Sequence, residues 1–219
     1  MLRHLLGTYL TLQFLQVIGQ TTISTEWTQT IYTDKGYAVK ELICDASGCY
    51  FILEGRGLMQ IGDMILDDPI PDEDDDFVSC IAILHFDSSG VFTDRTLIKS
   101  QRPSGSNYAR IFEAAKDLEG NLWLFIFTLG NIYLHEPPAF IEYGEVDQFQ
   151  LLKLDPEGAL LAHSAMPFDL FRPVLNSTID GGMLLTFQND APGISVLGQI
   201  VPSGPTTLLL NTEMEVLQM

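Results

Sequence analysis

The stretch that decides the fold is residues 117–128, DLEGNLWLFIFT, in which a turn sequence runs directly into an apolar run. Its first four residues follow a pattern, Asp-x-Ser/Glu-Gly, that recurs along the chain. Asp in the first position accepts hydrogen bonds from backbone amides further along a turn, and Gly in the last position adopts a positive φ without steric cost. Each copy lies between runs rich in β-branched and aromatic residues, so we predict a β-hairpin at each. The four copies are Asp45–Gly48, Asp87–Gly90, Asp117–Gly120 and Asp155–Gly158.

Two degenerate copies, Ile179–Gly182 and Val201–Gly204, extend the series to six predicted hairpins. Alternate hairpins share similar lead-in sequences, so two hairpins together form a larger unit of four strands. Four antiparallel strands are the composition of a propeller blade. We therefore predict an all-β, β-propeller-like fold with about three four-stranded antiparallel blades. A closed propeller has about 4–8 blades, so the alternatives are an incomplete propeller, pairing with another copy, or a fourth blade that the sequence does not reveal.

Two stretches make these units longer than a compact blade, and we interpret both as inserts. The first, residues 57–77, is acidic, and the second spans residues 134–146. No helical periodicity of convincing length follows residue 20. The prediction is therefore one domain over residues 20–219.

Residues 1–19 have the pattern of a secretory signal peptide. Arg3 and His4 form a positive start, and Leu5–Ile18 is an apolar run without charge. We expect cleavage after Gly19, and therefore a secreted or cell-surface protein. A buried helix or an uncleaved anchor is the alternative.

The composition is strongly acidic, with 29 Asp and Glu against 11 Lys and Arg and a formal net charge of -18. Nucleic acids and anionic membrane surfaces require a basic face, so neither is expected as a partner. Hydrophobic residues make up 46% of the chain, which excludes a disordered protein. The best later apolar run, Leu122–Leu134, is short and interrupted by polar residues, so we expect no transmembrane helix in the mature chain.

Three segments resemble the β-propeller repeats of exported Bacteroidota-type proteins. Trp27–Tyr32 resembles the first strand of such a repeat, Asp117–Trp123 its turn and following strand, and Asp147–Gly158 its last element, with Lys153-Leu154-Asp155 intact. The resemblance covers roughly residues 25–210 and consists of structural motifs. It therefore implies a propeller fold and export rather than an activity. Members of this group often precede a sorting domain of the type nine secretion system.

The densest charge lies in the first insert, where seven carboxylates fall within residues 67–76. Such groups repel one another unless a cation neutralises them, and calcium, a hard ion with oxygen ligands, suits an exported protein. Asp72, Asp74 and Asp76 are the candidate ligands. The loop lacks the Asp-x-Asp-x-Asp-Gly spacing of a calcium loop, so a solvated insert that aids solubility is the alternative. No other cofactor is predicted.

Catalytic motifs are absent from the sequence. It contains no Gly-x-Ser-x-Gly elbow, no His-Glu-x-x-His motif and no phosphate-binding glycine loop. Hairpin chemistry accounts for the repeated aspartates better than a pair of catalytic carboxylates does. Tyr108, Phe140 and Tyr143 lie near predicted loops and are the candidate ligand-binding residues, because exposed aromatic side chains suit a binding face.

Cys44 and Cys49 flank residues 45–48 of the first turn. Facing positions of a hairpin bring Cα atoms within reach of a disulfide. A disulfide and two buried small hydrophobic side chains are therefore the alternatives for this pair. Cys80 is the remaining cysteine in either case.

Abundant strand-and-turn patterning without a reactive constellation favours one function. We expect an exported, non-catalytic propeller domain that presents loops to an extracellular protein or glycan at the cell surface. An exported carboxylate-dependent hydrolase or lyase, assisted by calcium, is the alternative from a different class. A structural segment of a longer sorted protein is the third.

Overall fold

The computed structural model describes residues 8–18, 22–33, 36–56, 59–67, 80–101, 108–135, 138–142, 147–167 and 170–219. Within these ranges the chain forms antiparallel sheets of two to six strands and no helix, which confirms the all-β class. Accordingly, none of these residues belongs to a helix long and apolar enough to cross a membrane. The strands are β1 (Thr8–Ile18), β2 (Thr22–Thr33), β3 (Tyr37–Asp45), β4 (Gly48–Gly55), β5 (Met59–Ile61), β6 (Met64–Asp67), β7 (Cys80–Asp87), β8 (Phe92–Gln101), β9 (Ala109–Lys116), β10 (Leu122–Leu129), β11 (Asn131–His135), β12 (Ala139–Ile141), β13 (Asp147–Leu154), β14 (Leu160–Met166), β15 (Leu170–Ser177), β16 (Met183–Asn189), β17 (Ile194–Val196), β18 (Gln199–Val201), β19 (Gly204–Leu210) and β20 (Val216–Gln218).

Most of the strands belong to three units with the same strand order. Each unit is a four-stranded antiparallel meander: β3-β4-β7-β8 is the first unit, β9-β10-β13-β14 the second and β15-β16-β19-β20 the third. A short hairpin interrupts each unit between its second and third strands. These inserted hairpins are β5–β6, β11–β12 and β17–β18.

Two of the inserted hairpins extend the sheet that precedes them in the chain. β5 pairs with β2, with Ile61 opposite Ile31, and β11 pairs with β8, with Leu134 opposite Ile98. β17–β18 instead forms a separate two-stranded sheet. β14 is an edge strand of its sheet, so its outer side carries no strand among the described residues.

Five of the connecting turns share one hydrogen-bonding arrangement. The amide of the first residue donates to the carbonyl of the fifth, and the amide of the fourth donates to the carbonyl of the first. In four of the five, an Asp or Asn side chain in the first position also accepts from amides within the turn: Asp117 Oδ1 lies 3.0 Å from Glu119 N and 2.8 Å from Asn121 N. The fourth residue has a positive φ. The five turns begin at Asp87, Asp117, Asp155, Thr178 and Asn211. The turn after Asp45 is tighter, because Asp45 lies directly opposite Gly48.

The predicted turn at Ile179–Gly182 is displaced by one residue. The turn begins at Thr178, whose carbonyl accepts from Gly181 N at 3.2 Å, and Gly181 is the glycine with a positive φ. The sequence pattern predicts Gly182 as the last residue of the turn, whereas the hydrogen bonds place Gly181 in that position.

The predicted hairpin turn at Val201–Gly204 is wrong. This segment joins β18 to β19, and the two strands pair with different partners. The last hairpin turn of the third unit is Asn211–Met214, where Met214 N donates to Asn211 O at 3.2 Å. The sequence pattern missed this turn because methionine occupies the position of positive φ that glycine normally takes.

Bulges recur at one place in the last strand of each unit. The extra residue is Thr93 of β8, Leu161 of β14 and Leu217 of β20. These residues lie opposite the steps His85–Phe86, Lys153–Leu154 and Leu209–Leu210 of the third strands. In every unit the irregularity lies next to the hairpin turn. The common position of the bulge aligns the three units residue by residue.

The core consists of three hydrophobic clusters between successive sheets. One joins β2 and β5 to the first unit, the next joins the first unit to the second, and the last joins the second to the third. Strand β10 contributes to two of them, because Leu124 and Ile126 point into one cluster while Trp123 and Phe125 point into the other. Alternate residues of a strand face opposite sides of a sheet. A strand covered on both sides therefore has the continuous apolar sequence of residues 122–127.

The three cysteines are all described. Cys44 and Cys49 lie opposite each other in β3 and β4 and form a disulfide, with Cα atoms 4.2 Å apart. Cys80 is buried and is not part of a disulfide, and its Sγ lies 3.0 Å from the hydroxyl of Tyr37.

The segment interpreted as a signal peptide overlaps the first strand. Residues 8–18 form β1, antiparallel to β2, with Leu10 opposite Ile31. Cleavage concerns the processing of the chain rather than this pairing, so the signal peptide stays a prediction.

Glycines 158 and 181 provide a matched test of how the units pack. Both have a positive φ, 85° and 84°, in turns of the same type. A Cβ on Gly158 would overlap Thr96 of the first unit, whereas nothing lies within 4 Å of a Cβ on Gly181. We expect Gly181→Ala to lower the free energy of unfolding by about 1 kcal/mol and Gly158→Ala by about 3 kcal/mol, measured by urea denaturation.

The double variant Thr96→Ala/Gly158→Ala provides the control. Because it removes the overlapping hydroxyl, it should regain part of the stability that Gly158→Ala loses. Equal losses for the two single variants would contradict the packing of the second unit's turn against β8.

Candidate functional site

A cleft of about 510 Å³ opens where β14 meets two turns of the third unit. Pockets that bind small molecules have volumes of about 300–1,000 Å³, so this one is large enough for a ligand. One wall is the edge strand β14, another is the turn of the inserted hairpin β17–β18, and the third is the turn that follows β19. The lining residues are His163, Ser164, Leu197, Gln199, Glu213, Met214, Glu215 and Val216.

Two of the lining residues hold an unfavourable backbone conformation. Leu197 has a φ of 48° and Met214 a φ of 64°. A residue with a Cβ pays about 1–2 kcal/mol for this left-handed conformation. Arg172 is the one other non-glycine residue of the described ranges with a positive φ. Backbone strain concentrates at binding and active sites, so its presence on two walls marks the cleft as a candidate site.

Leu197 occupies a turn that normally takes other residues. Leu197 and Gly198 both have a positive φ, as in the type I′ hairpin turns that prefer Asn-Gly. The leucine is half-buried and packs against the hydrophobic cluster between the second and third units, beside the buried Val196 and Val201. Apolar burial therefore offsets the strain and fixes the turn beside β14.

The turn after β19 combines a buried residue with two exposed carboxylates. Met214 is 7% exposed and belongs to the same hydrophobic cluster. Asn211 Oδ1 accepts from Glu213 N at 3.0 Å and from Glu215 N at 2.8 Å, and Asn211 Nδ2 donates to Glu215 Oε2 at 2.9 Å. These bonds order the turn, so Glu213 and Glu215 form an acidic rim on the cleft.

A buried lysine of the second unit holds this turn in place. Lys153 Nζ donates to the carbonyl of Thr212 at 2.7 Å and lies 3.4 Å from Asp117 Oδ2. It also lies 5.2 Å from the centroid of the Trp123 ring, within the range of a cation–π interaction. The Lys153 side chain is 4% exposed and that of Asp117 is fully buried. The hydrogen bond from Lys153 to Thr212 thus joins the second unit to one wall of the cleft.

Hydrogen bonds satisfy the buried carboxylate of Asp117. Trp123 Nε1 donates to its Oδ2 at 3.0 Å and Asn121 Nδ2 donates to the same oxygen at 2.9 Å. Burial acts to raise the pKa of Asp117, but the hydrogen bonds from Trp123 and Asn121, with the charge of Lys153, outweigh it and lower the pKa below its ordinary value. A fully partnered carboxylate of this kind is structural and not available for acid–base chemistry.

An equivalent contact joins the first unit to the second. Tyr50 and His85 face each other across β4 and β7, as Trp123 and Lys153 do in the second unit. The hydroxyl of Tyr50 donates to Pro156 O at 3.4 Å, and Pro156 holds the same turn position as Thr212. At both junctions a cross-strand pair therefore reaches the last turn of the next unit.

The two junctions differ in charge. At the first junction, Lys116 pairs with Asp45 and lies 5.1 Å from the Tyr50 ring. Burial acts to raise the pKa of Asp45, but hydrogen bonds from Lys116 and Ser47 outweigh it and lower the pKa to about 2. Burial, with the carboxylate of Asp45 nearby, raises the pKa of Tyr50 to about 12. This charge pair is partly exposed, whereas the pair of Asp117 and Lys153 is buried.

Two of the three sequence-predicted binding residues, Tyr108 and Phe140, do not line the cleft. Tyr108 is half-buried, with its ring 6.3 Å from that of Phe127, and Phe140 is 52% exposed on β12. Tyr143 lies outside the described residues. The cleft was missed because its carboxylates and hairpin have no motif. The Asn-x-Glu-x-Glu spacing at residues 211–215 was the available signal, and it lacks the glycine of the other turns.

The predicted calcium ligands Asp72, Asp74 and Asp76 also lie outside the described residues, so calcium binding by the first insert stays a prediction. Within the described ranges, no three His, Cys, Asp or Glu residues are grouped closely enough to hold a metal ion.

The chemistry of the cleft suits binding. His163 and Ser164 are neighbours on β14, so their side chains point to opposite faces of the sheet and do not form a nucleophile–base pair. Comparison with protein-family models, with curated proteins and with solved structures found no match to this chain. The resemblance to exported propeller repeats therefore stays a prediction, and the cleft is the basis for proposing a function.

The buried ion pair generates a prediction about stability. Asp117→Asn leaves the Lys153 ammonium group buried without its carboxylate, so we expect the free energy of unfolding at pH 7 to fall by about 3 kcal/mol. The matched control is Asp155→Asn, because Asn211 occupies the same turn position in the third unit. Urea denaturation should show a loss below about 1 kcal/mol for that control.

The same pair predicts a pH dependence. The pKa of Asp117 is lower in the folded protein, so its contribution is fully present above the unfolded pKa of about 4 and is lost as the pH falls through the folded pKa. The stability difference between wild type and Asp117→Asn should therefore shrink on acidification below about pH 4. A difference that stays constant down to about pH 2 would show that the carboxylate charge is unimportant.

Proposed function

We propose that this protein is an exported, non-catalytic binding domain with a β-propeller-like arrangement of its units, which binds an extracellular protein or glycan. The observation that carries the proposal is the cleft at β14. It combines a ligand-sized volume, two strained residues and an acidic rim without a reactive pair of side chains. A site built for recognition has these properties and a hydrolytic site requires more.

The packing of the units supports the propeller-like arrangement. Propeller blades are four-stranded antiparallel sheets that stack face to face. The three units have this strand order, and hydrophobic clusters lie between the first and second and between the second and third. A turn of each later unit also contacts a cross-strand pair of the unit before it.

The inserted hairpins support a role in presentation. In the second strand of each hairpin, one large apolar residue is exposed at the same register position, opposite the middle residue of the hairpin's first strand. Ile65, Phe140 and Ile200 are 52%, 52% and 65% exposed, and they pair with Gln60, Tyr133 and Ser195. Exposed apolar side chains on loops carried by a rigid scaffold are typical of binding surfaces. Phe140, a binding candidate from the sequence, belongs to this set.

The test is to map ligand contacts by NMR. We would titrate ¹⁵N-labelled protein with two probes at about 1 mM, namely the peptide acetyl-Lys-Val-Lys-Val-Lys-Val-Lys-amide and the glycan chitohexaose. We expect one probe to shift the amide resonances of Ser164, Gln199 and Glu215. Ser89 and Glu157, which hold the position of Glu213 in turns of the other two units, should not shift and serve as internal controls.

A result in which neither probe shifts the cleft residues would overturn the proposal. Shifts confined to other surfaces would do the same, because they would place binding outside the cleft.

A further inference from the structure

We infer that the cleft binds an extended, basic polypeptide segment of a partner protein, which adds a strand to the outer edge of β14. The inference rests on the proposed function and names its ligand class. It depends on three features of the described residues: an uncovered edge, a reason why the chain's own hairpin leaves it uncovered, and the charge of the walls.

The first feature is the uncovered edge of β14. The last strand of the first unit, β8, is paired on its outer side by β11, and β2 is paired in the same way by β5. β14 is the equivalent strand of the second unit, and among the residues that the structure describes it pairs with β13 alone. An unpaired edge presents amide and carbonyl groups that bind an extended chain through main-chain hydrogen bonds.

The second feature is a proline that explains the missing pairing. In β8 the inserted hairpin pairs from Leu97 onward. The corresponding position in β14, counted from the shared bulge, is Ala165. Two residues later comes Pro167, which has no amide hydrogen and does not continue a ladder. Ala165 and Met166 are therefore the two residues of β14 within the span that an inserted hairpin covers in β8, and β17 does not pair with them. His163 and Ser164 beside the cleft correspond to Arg95 and Thr96, which lie outside that span, so this part of the edge is open to a separate chain.

Side-chain exposure alternates along β14, because one face of the strand is open to solvent. Leu161, His163 and Ala165 are exposed, the residues between them are half-buried, and Met166 is buried. The strand has 7 residues, so a partner segment of about seven residues spans it at about 3.4 Å per residue. Its alternate side chains would point toward the turn of β17–β18 on one face and toward solvent on the other.

The third feature is the charge of the walls. Glu213 and Glu215 form the rim, and no Lys or Arg is among the lining residues. The whole chain carries a formal net charge of -18. Complementary charge steers association and rejects wrong partners, so the favoured segment carries Lys or Arg.

The experiment measures binding of the fluorescein-labelled peptide Lys-Val-Lys-Val-Lys-Val-Lys by fluorescence anisotropy at low salt. A second peptide replaces the central Val by Pro, which keeps the charge and removes one amide hydrogen. A third replaces every Lys by Glu. We expect the proline peptide to bind about tenfold more weakly than the parent, and the acidic peptide not to bind.

Charge-reversal variants locate the binding. Glu213→Lys/Glu215→Lys should weaken the parent peptide about tenfold. Glu119→Lys/Glu157→Lys changes the net charge equally at the corresponding position of two other turns, so its Kd should change less than about threefold. Thermal unfolding of both variants checks that each is folded.

Several outcomes overturn the inference. Equal affinity of the parent and proline peptides would show attraction by charge alone. Equal weakening by the two double variants would place the site elsewhere. Binding of chitohexaose at the cleft without peptide binding would leave the proposed function standing and remove strand addition. A dimer in sedimentation, dispersed by the peptide, would give the edge to a second copy of this chain.

Discussion

The packing of the second unit against the third depends on the interactions of the Lys153 ammonium group. This group is buried, and a buried charge is tolerated only when it is paired and hydrogen-bonded. Asp117 supplies the opposite charge, and the carbonyl of Thr212 supplies a hydrogen-bond acceptor from the third unit. The lysine therefore links the first turn of one unit to the last turn of the next. At the preceding junction, the neutral hydroxyl of Tyr50 donates to the carbonyl at the same turn position. The position of the contact is therefore the same at both junctions, although the donor group differs.

This junction also explains why the cleft has fixed walls. The turn held by Lys153 carries Glu213 and Glu215, and its Met214 is anchored in the core. The opposite turn is anchored by Leu197 in the same cluster. Both turns accept a strained backbone because apolar burial offsets it. The open edge of β14 lies between two rigid turns, which lowers the ordering cost of binding an extended chain.

Local turn chemistry made much of the fold predictable. The Asp-x-Ser/Glu-Gly copies at residues 87–90, 117–120 and 155–158 correspond to observed turns, because side-chain acceptors and glycine act within a few residues. Prediction failed where tertiary contacts replaced that local signal. Met214 takes a positive φ because its side chain is buried, and no sequence pattern records that. The cleft was not predictable either, since it depends on the pairing that β14 lacks. Asp72, Asp74 and Asp76 lie outside the described residues and stay a prediction.

Hydrogen exchange of the free protein tests most directly whether the outer edge of β14 is open. From Leu97 to Lys99, β8 pairs with β7 on one side and with β11 on the other, so its amides there should all exchange slowly. In β14, alternate amides between Leu160 and Met166 should exchange much faster, because those that point outward have no partner strand in the part of the chain that the structure describes. Uniformly slow exchange along β14, matching that of β8, would show that the chain already covers this edge and would contradict the account.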